Sequence, residues 1–188
     1  MEPIEIIGQL FGVLAIVASV VSMQLAKRWQ MLIALAFLNL FLVFNQLFLG
    51  MSYSAIIGCG LAAVHCPVNA YKAKKELVTS RLENVIWSVL YFASWGLGLF
   101  LSARAGMASW MDILPFFGTV TFLFSVFLPK ERDVRIHTFL NALVYFVYNL
   151  LSMNIAAVSQ VLTMISVIVA LVRYREKKPL PPSDENGN

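Results

Sequence analysis

A chain of 188 residues that is 60% hydrophobic and only 13% charged, with a mean hydropathy of +0.78, has too little polar surface to face water as an ordinary soluble domain does. Its net charge of +4 is not the footprint of a nucleic-acid binder. When successive loops are assigned to alternate sides, thirteen of the fourteen Lys and Arg residues fall on one side and Arg104 alone on the other, which is a membrane-topology signal.

Seven apolar segments follow one another: Ile6–Leu25, Met31–Leu49, Ser54–Tyr71, Arg81–Leu101, Trp110–Leu128, Ile136–Ser152 and Ile155–Val172. Most approach the roughly 20 residues a spanning helix needs, so the chain is expected to be an all-α polytopic membrane protein with seven transmembrane helices. The first segment is not expected to be a cleaved leader, because Glu2 and Glu5 stand where a basic n-region belongs. Its small residues Gly8, Gly12, Ala15, Ser19 and Ser22 recur on one face and let another helix come close. The second segment carries Phe37, Phe41, Phe44, Asn45 and Phe48 on one side; the third carries Gly58, Ala62, His65, Asn69 and Lys72, with Pro67 expected to bend it. Cys59 and Cys66 share that helix at a separation of about 10.5 Å, too far for a mutual disulfide. No CxxC or Cys/His ligand set suggests a metal or cofactor.

Ser80 and Glu83 make an S-x-x-E cap at the head of the fourth segment, whose Asn84, Ser88, Tyr91, Trp95 and Gly98 form a single side suited to docking on its neighbours. The fifth opens on Trp110 and Asp112 and contains Pro115. Asn141, Tyr145, Tyr148, Asn149 and Ser152 share one broad face of the sixth, and Ser159, Gln160, Thr163 and Ser166 mark the seventh. The tail 179–188 is Pro-rich and polar and is expected to be disordered on the cytoplasmic side.

The second half echoes the first. A shift of 103 pairs Gly12 with Pro115, Ala15 with Gly118, Ser22 with Ser125 and Lys27 with Lys130; one extra residue in the next turn, a shift of 104, pairs Asn45 with Asn149. The expected plan is one transmembrane domain, 1–178, holding two parallel three-helix repeats (4–75 and 110–175) joined by an inversion helix (80–102). The extra crossing makes the halves parallel, and the charge count puts the N-terminus outside and the C-terminus in the cytoplasm.

Amides and phenols facing lipid would leave hydrogen-bonding groups unmet, so the sixth-helix face should point into the bundle. There Asn141, Tyr145, Tyr148 and Asn149, with Asn45 and Thr163, are candidates for holding a neutral polar solute. His65 and Asn69 are further candidates, since an ionisable group within a span marks a functional position. Pro67, Asp112 and Pro115 are candidate gating residues; for Asp112 the competing role is a helix N-terminal cap. The same polar groups would equally serve as contacts between helices. No paired carboxylates, HExxH, GxSxG or phosphate-cradling loop points to an enzyme.

The run Ser22-Met23-Gln24-Leu25-Ala26-Lys27-Arg28, followed by Asn39, Asn45-Gln46 and Leu49-Gly50, resembles the YgjV-type family of bacterial inner-membrane proteins from the first span to Arg175. That resemblance implies a location in the inner membrane. The three-plus-one-plus-three plan also resembles the SWEET facilitators, the PQ-loop proteins and the PnuC-type carriers, in which two three-helix units enclose a solute path; no Pro-Gln dipeptide occurs here. Facilitated movement of a small polar solute is the expected activity, and a membrane scaffold or interaction subunit is the second reading. The expected partners are the lipid bilayer and that solute, with no cofactor and no nucleic acid; association into a homo-oligomer is compatible with the plan.

Overall fold

The computed structural model of the chain describes residues 2–50, 53–106, 109–151 and 156–174, and all of its regular structure there is helical. The helices are α1 (Pro3–Gln24), α2 (Arg28–Phe48), α3 (Tyr53–Lys74), α4 (Arg81–Arg104), α5 (Ile113–Phe127, entered through a 3₁₀ turn at Trp110–Asp112), α6 (Glu131–Leu151) and α7 (Ala156–Arg173). Six of them, with α5 counted from Trp110, are long and apolar enough to cross a membrane. The expected seventh span is the exception. α7 is apolar, and its described part, which begins at the edge of the described residues, is shorter than the others. Ser152, the basic residues after Tyr174 and the tail 179–188 lie outside the described residues.

Local chemistry accounts for the helix ends. Glu5 reaches back to the Glu2 backbone N–H at 3.1 Å, so the early acids cap α1. Ser80 Oγ accepts from the Glu83 N–H at 3.2 Å, while the Glu83 carboxylate is committed to Lys72 of α3. Only half of that S-x-x-E pattern is therefore used as a cap. α3 continues without interruption through Pro67, which is exposed.

The first turn of each half falls at one interval. Gln24 and Phe127, and Arg28 and Glu131, which bound the α1–α2 and α5–α6 turns, are each 103 positions apart. The shift to 104 expected in the sixth helix does not occur, because the α1–α2 and α5–α6 turns have the same length. Both turns begin on an extended residue, Leu25 (φ −73°, ψ 138°) and Leu128 (φ −73°, ψ 136°).

α2 packs between α1 and α3, and α6 between α5 and α7. α1 meets α7 and α3 meets α5, closing a ring of six helices; α4 lies against α3 and touches α5. At Gly98 a Cβ would stand 2.3 Å from the Ser54 Cα, so α4 docks backbone to backbone. Ser19 Oγ lies 2.8 Å from Thr163 Oγ1, and further along both helices the Tyr174 hydroxyl donates to the Gln24 carbonyl at 2.7 Å. α1 and α7 therefore run in the same direction. The main apolar core sits at their C-terminal ends, where Met23, Met31, Leu32, Leu35, Cys66, Ala70, Val126, Val134, Val167 and Ala170 are buried together.

Candidate functional site

A cavity of about 500 Å³ occupies the half of the ring away from that core. It reaches Leu49 and Ser54, at the far ends of α2 and α3, and stops at Ser19, Leu35, Ala62, Ser125, Thr138 and Thr163. Each wall is one face of a helix. Along α6 the lining runs Thr138, Asn141, Ala142, Tyr145, Tyr148 and Asn149; along α2 it runs Leu35, Leu38, Asn39, Leu42, Asn45 and Gln46. These two sets correspond position for position at the 103-residue interval. One wall is rich in amides and phenols, the other in leucines with three amides.

Several lining groups are fixed by backbone partners. Asn45 Nδ2 donates to the Gly8 carbonyl at 2.8 Å, and a Cβ on Gly12 would stand 3.0 Å from the same nitrogen. Asn141 Nδ2 donates to the Gly118 carbonyl at 2.7 Å. The Tyr145 ring lies over Gly118, where a Cβ would come within 2.5 Å of it, and meets Tyr148 edge-on at 6.4 Å. Asn149 is buried in the wall, and Thr163 at the floor is held by Ser19 and by the Ser159 carbonyl at 3.0 Å.

Of the residues singled out in the sequence, Asn45, Asn141, Tyr145, Tyr148, Asn149, Thr163 and Pro115 meet at this cavity. His65 and Asn69 do not. Gly58 and Ala62 of the same α3 stripe line the cavity, but His65 is one turn further, below the floor, stacked on Trp87 at 4.0 Å and flanked by Tyr91 and Phe127. Asn69 donates to the His65 carbonyl at 3.2 Å. Pro67 points away from the bundle. The Asp112 carboxylate accepts from the Ser109 N–H at 2.9 Å and is a capping residue outside the lining.

Sequence reasoning passed over Gln9, Asn39 and Gln46 and gave Tyr91 and Trp95 only a docking role, and all five also line the cavity. The signal for α2 was the 3-4-3 spacing of Asn39, Leu42, Gln46 and Leu49. The phenylalanines that dominate that helix pack elsewhere: Phe11 of α1 meets Phe41, Phe44 and Phe48 at centroid distances of 6.3, 5.0 and 5.9 Å.

Among the described residues the lining contains no Asp, Glu, Lys, Arg or His, and no three His, Cys, Asp or Glu side chains gather to hold a metal. The wall can hydrogen-bond and stack, and it offers no countercharge. Apolar helices of this length define a polytopic membrane protein embedded in the bilayer. The chain belongs to the Imp-YgjV family of bacterial inner membrane proteins, whose family model matches residues 6–178. No curated protein and no solved structure matches it.

Proposed function

We propose that this protein is a passive facilitator of a small, uncharged polar solute. The observation that carries the reading is the cavity itself: amides, phenols and hydroxyls are set in a mostly apolar wall around a space of about 500 Å³ that no charged side chain among the described residues enters. An ion brought there would lose its hydration without gaining a partner, whereas a neutral solute exchanges water for Asn149, Gln160 and the tyrosines. That no acid stands in the lining among the described residues also argues for facilitation without proton or sodium coupling.

On this reading the chain is two three-helix repeats, α1–α3 and α5–α7, joined by α4. The 103-residue interval between the α1–α2 and α5–α6 turns supports it, as do the shared direction of α1 and α7 and the paired contacts, α1 with α7 and α3 with α5, across the ring. Parallel repeats around a midplane site are a known transporter plan. The basic end is then the cytoplasmic one.

Purified protein in liposomes should show saturable uptake of one member of a panel of neutral solutes, and Asn149→Ala should abolish it. Uptake indistinguishable from that of empty liposomes across the panel would reject the reading. The scaffold alternative draws on the α1–α7 contacts, where polar groups serve as bonds between helices; it predicts that Asn149→Ala changes stability alone.

A further inference from the structure

The basic end of the ring is closed by packing and then fastened. Met23, Met31, Leu32, Cys66, Val126 and Val134 fill it with almost no exposed surface, directly beneath the cavity floor. Outside that layer, two arginines reach from one helix triplet to the other. Arg28, which opens α2, donates through Nη2 to the Val126 carbonyl at the end of α5. Arg135 of α6 donates through Nη2 to the Leu25 carbonyl at 2.8 Å and through Nε to the Met23 carbonyl at 3.3 Å, both at the end of α1.

Met23 and Val126 are 103 positions apart, so the middle helix of each triplet holds the same carbonyl on the first helix of the other. The chemistry is apt: carbonyls in a helix's last turn lack an intrahelical partner and carry the negative end of its dipole, and a guanidinium answers both. Arg135 is itself buried, with its guanidinium 4.6 Å from the Tyr174 ring. The α1–α7 hydrogen bonds and both arginine contacts lie at or below Ser19 and Thr163. Among the described residues these bonds between the triplets gather at the closed end, while the cavity reaches the helix ends at the other.

We infer that the basic end is a gate and that Arg28 and Arg135 are its two latches. The structure stands in the state closed at that end. Solute leaves the cavity there only when the Arg28–Val126 and Arg135–Met23/Leu25 contacts part together and the layer around Cys66 opens. The inference rests on the reading of the cavity as a solute path.

The chain carries its own reporter. Its only cysteines are Cys59, in the cavity wall, and Cys66, in the closing layer. In a Cys59→Ser background Cys66 should resist a membrane-impermeant maleimide from either side. Replacing Arg28 and Arg135 by Ala should speed its labelling about tenfold or more, from the basic side only, because hydrogen bonds to charged groups hold the closed state. Lys72→Ala removes an ion pair at the same end that joins α3 to α4, and it should leave Cys66 protected. Should the double variant fail to fold, the single Arg28→Lys and Arg135→Lys variants supply the reading, each with a smaller rise.

Cys66 silent in folded arginine variants, labelled equally from both sides, or freed as readily by Lys72→Ala would overturn the gate. Solute uptake with Cys66 silent in those variants would overturn the gate and leave the transport reading standing. Basic-side labelling with no solute uptake would support the gate and reject that reading.

Discussion

Where α1 meets α7, the buried side-chain polar groups are all partnered: Ser19 with Thr163, Ser22 with the Ser19 carbonyl, Gln24 with Ser166, and Tyr174 with the Gln24 carbonyl. Where α3 meets α5 under the cover of α4, the materials are aromatic. His65 stacks on Trp87, and Tyr91 leans on Phe122 at 6.0 Å. Along this second seam both His65 ring nitrogens, the Tyr91 hydroxyl, Trp95 Nε1 and Ser102 Oγ are buried without a partner. A seam whose polar groups are satisfied loses bonds when it parts, while a seam with orphaned groups can gain them. The α1–α7 side is therefore the better-bonded edge of the ring, and the α3–α5 side, apart from the Arg28 contact, is the one with polar groups unmet.

The contrast can be broken most severely at Gly98. A Cβ there meets the Ser54 backbone, which cannot turn aside as a side chain can; Gly98→Ala should cost about 3 kcal/mol, seen as a large fall in Tm and folded yield. Next come changes of opposite sign from the same kind of substitution. Thr163→Val removes the bond to Ser19 and should destabilise by about 1 kcal/mol. Tyr91→Phe deletes a hydroxyl that has no partner and should stabilise by about 1 kcal/mol, read as a rise in Tm. Ser102→Ala should stabilise by a smaller amount, roughly 0.5 kcal/mol, because less volume is disturbed at the end of α4. If both seams lost stability alike, the distinction between them would fail.

Hydrogen exchange sharpens the same comparison without mutation. Amides of α4 and of α3 near His65 should open sooner than those of α1 and α7 between Ser19 and Gln24 and between Thr163 and Arg173.

The features legible in the sequence were those that depend on neighbours along one helix. The small-residue stripe of α1 is its buried face, with Gly8, Ala15, Ser19 and Ser22 all inside. The amide and phenol face of α6 lines the cavity as its spacing required. Depth was not legible. Gly58, Ala62, His65 and Asn69 share one stripe of α3, but periodicity cannot tell that the cavity ends after Ala62 and leaves His65 among aromatic rings. Bulk also misled: the phenylalanines of α2 carry its strongest pattern, and they pack against α1 while Asn39 and Gln46 take the cavity side. Arg28 and Arg135 read as members of basic turns, because their carbonyl partners are some hundred residues away in the chain. The equal length of the α1–α2 and α5–α6 turns was not legible, since turn lengths are free in a sequence alignment and fixed in a fold.

The most direct test of the solute path is the reactivity of a single cysteine at Asn149→Cys, in a chain otherwise free of cysteine, toward an impermeant maleimide in intact membranes. The account predicts labelling from the side opposite the basic turns and protection from the basic side. A residue unreactive from both sides would contradict it, and would mean that the polar groups of the ring only bind its helices together.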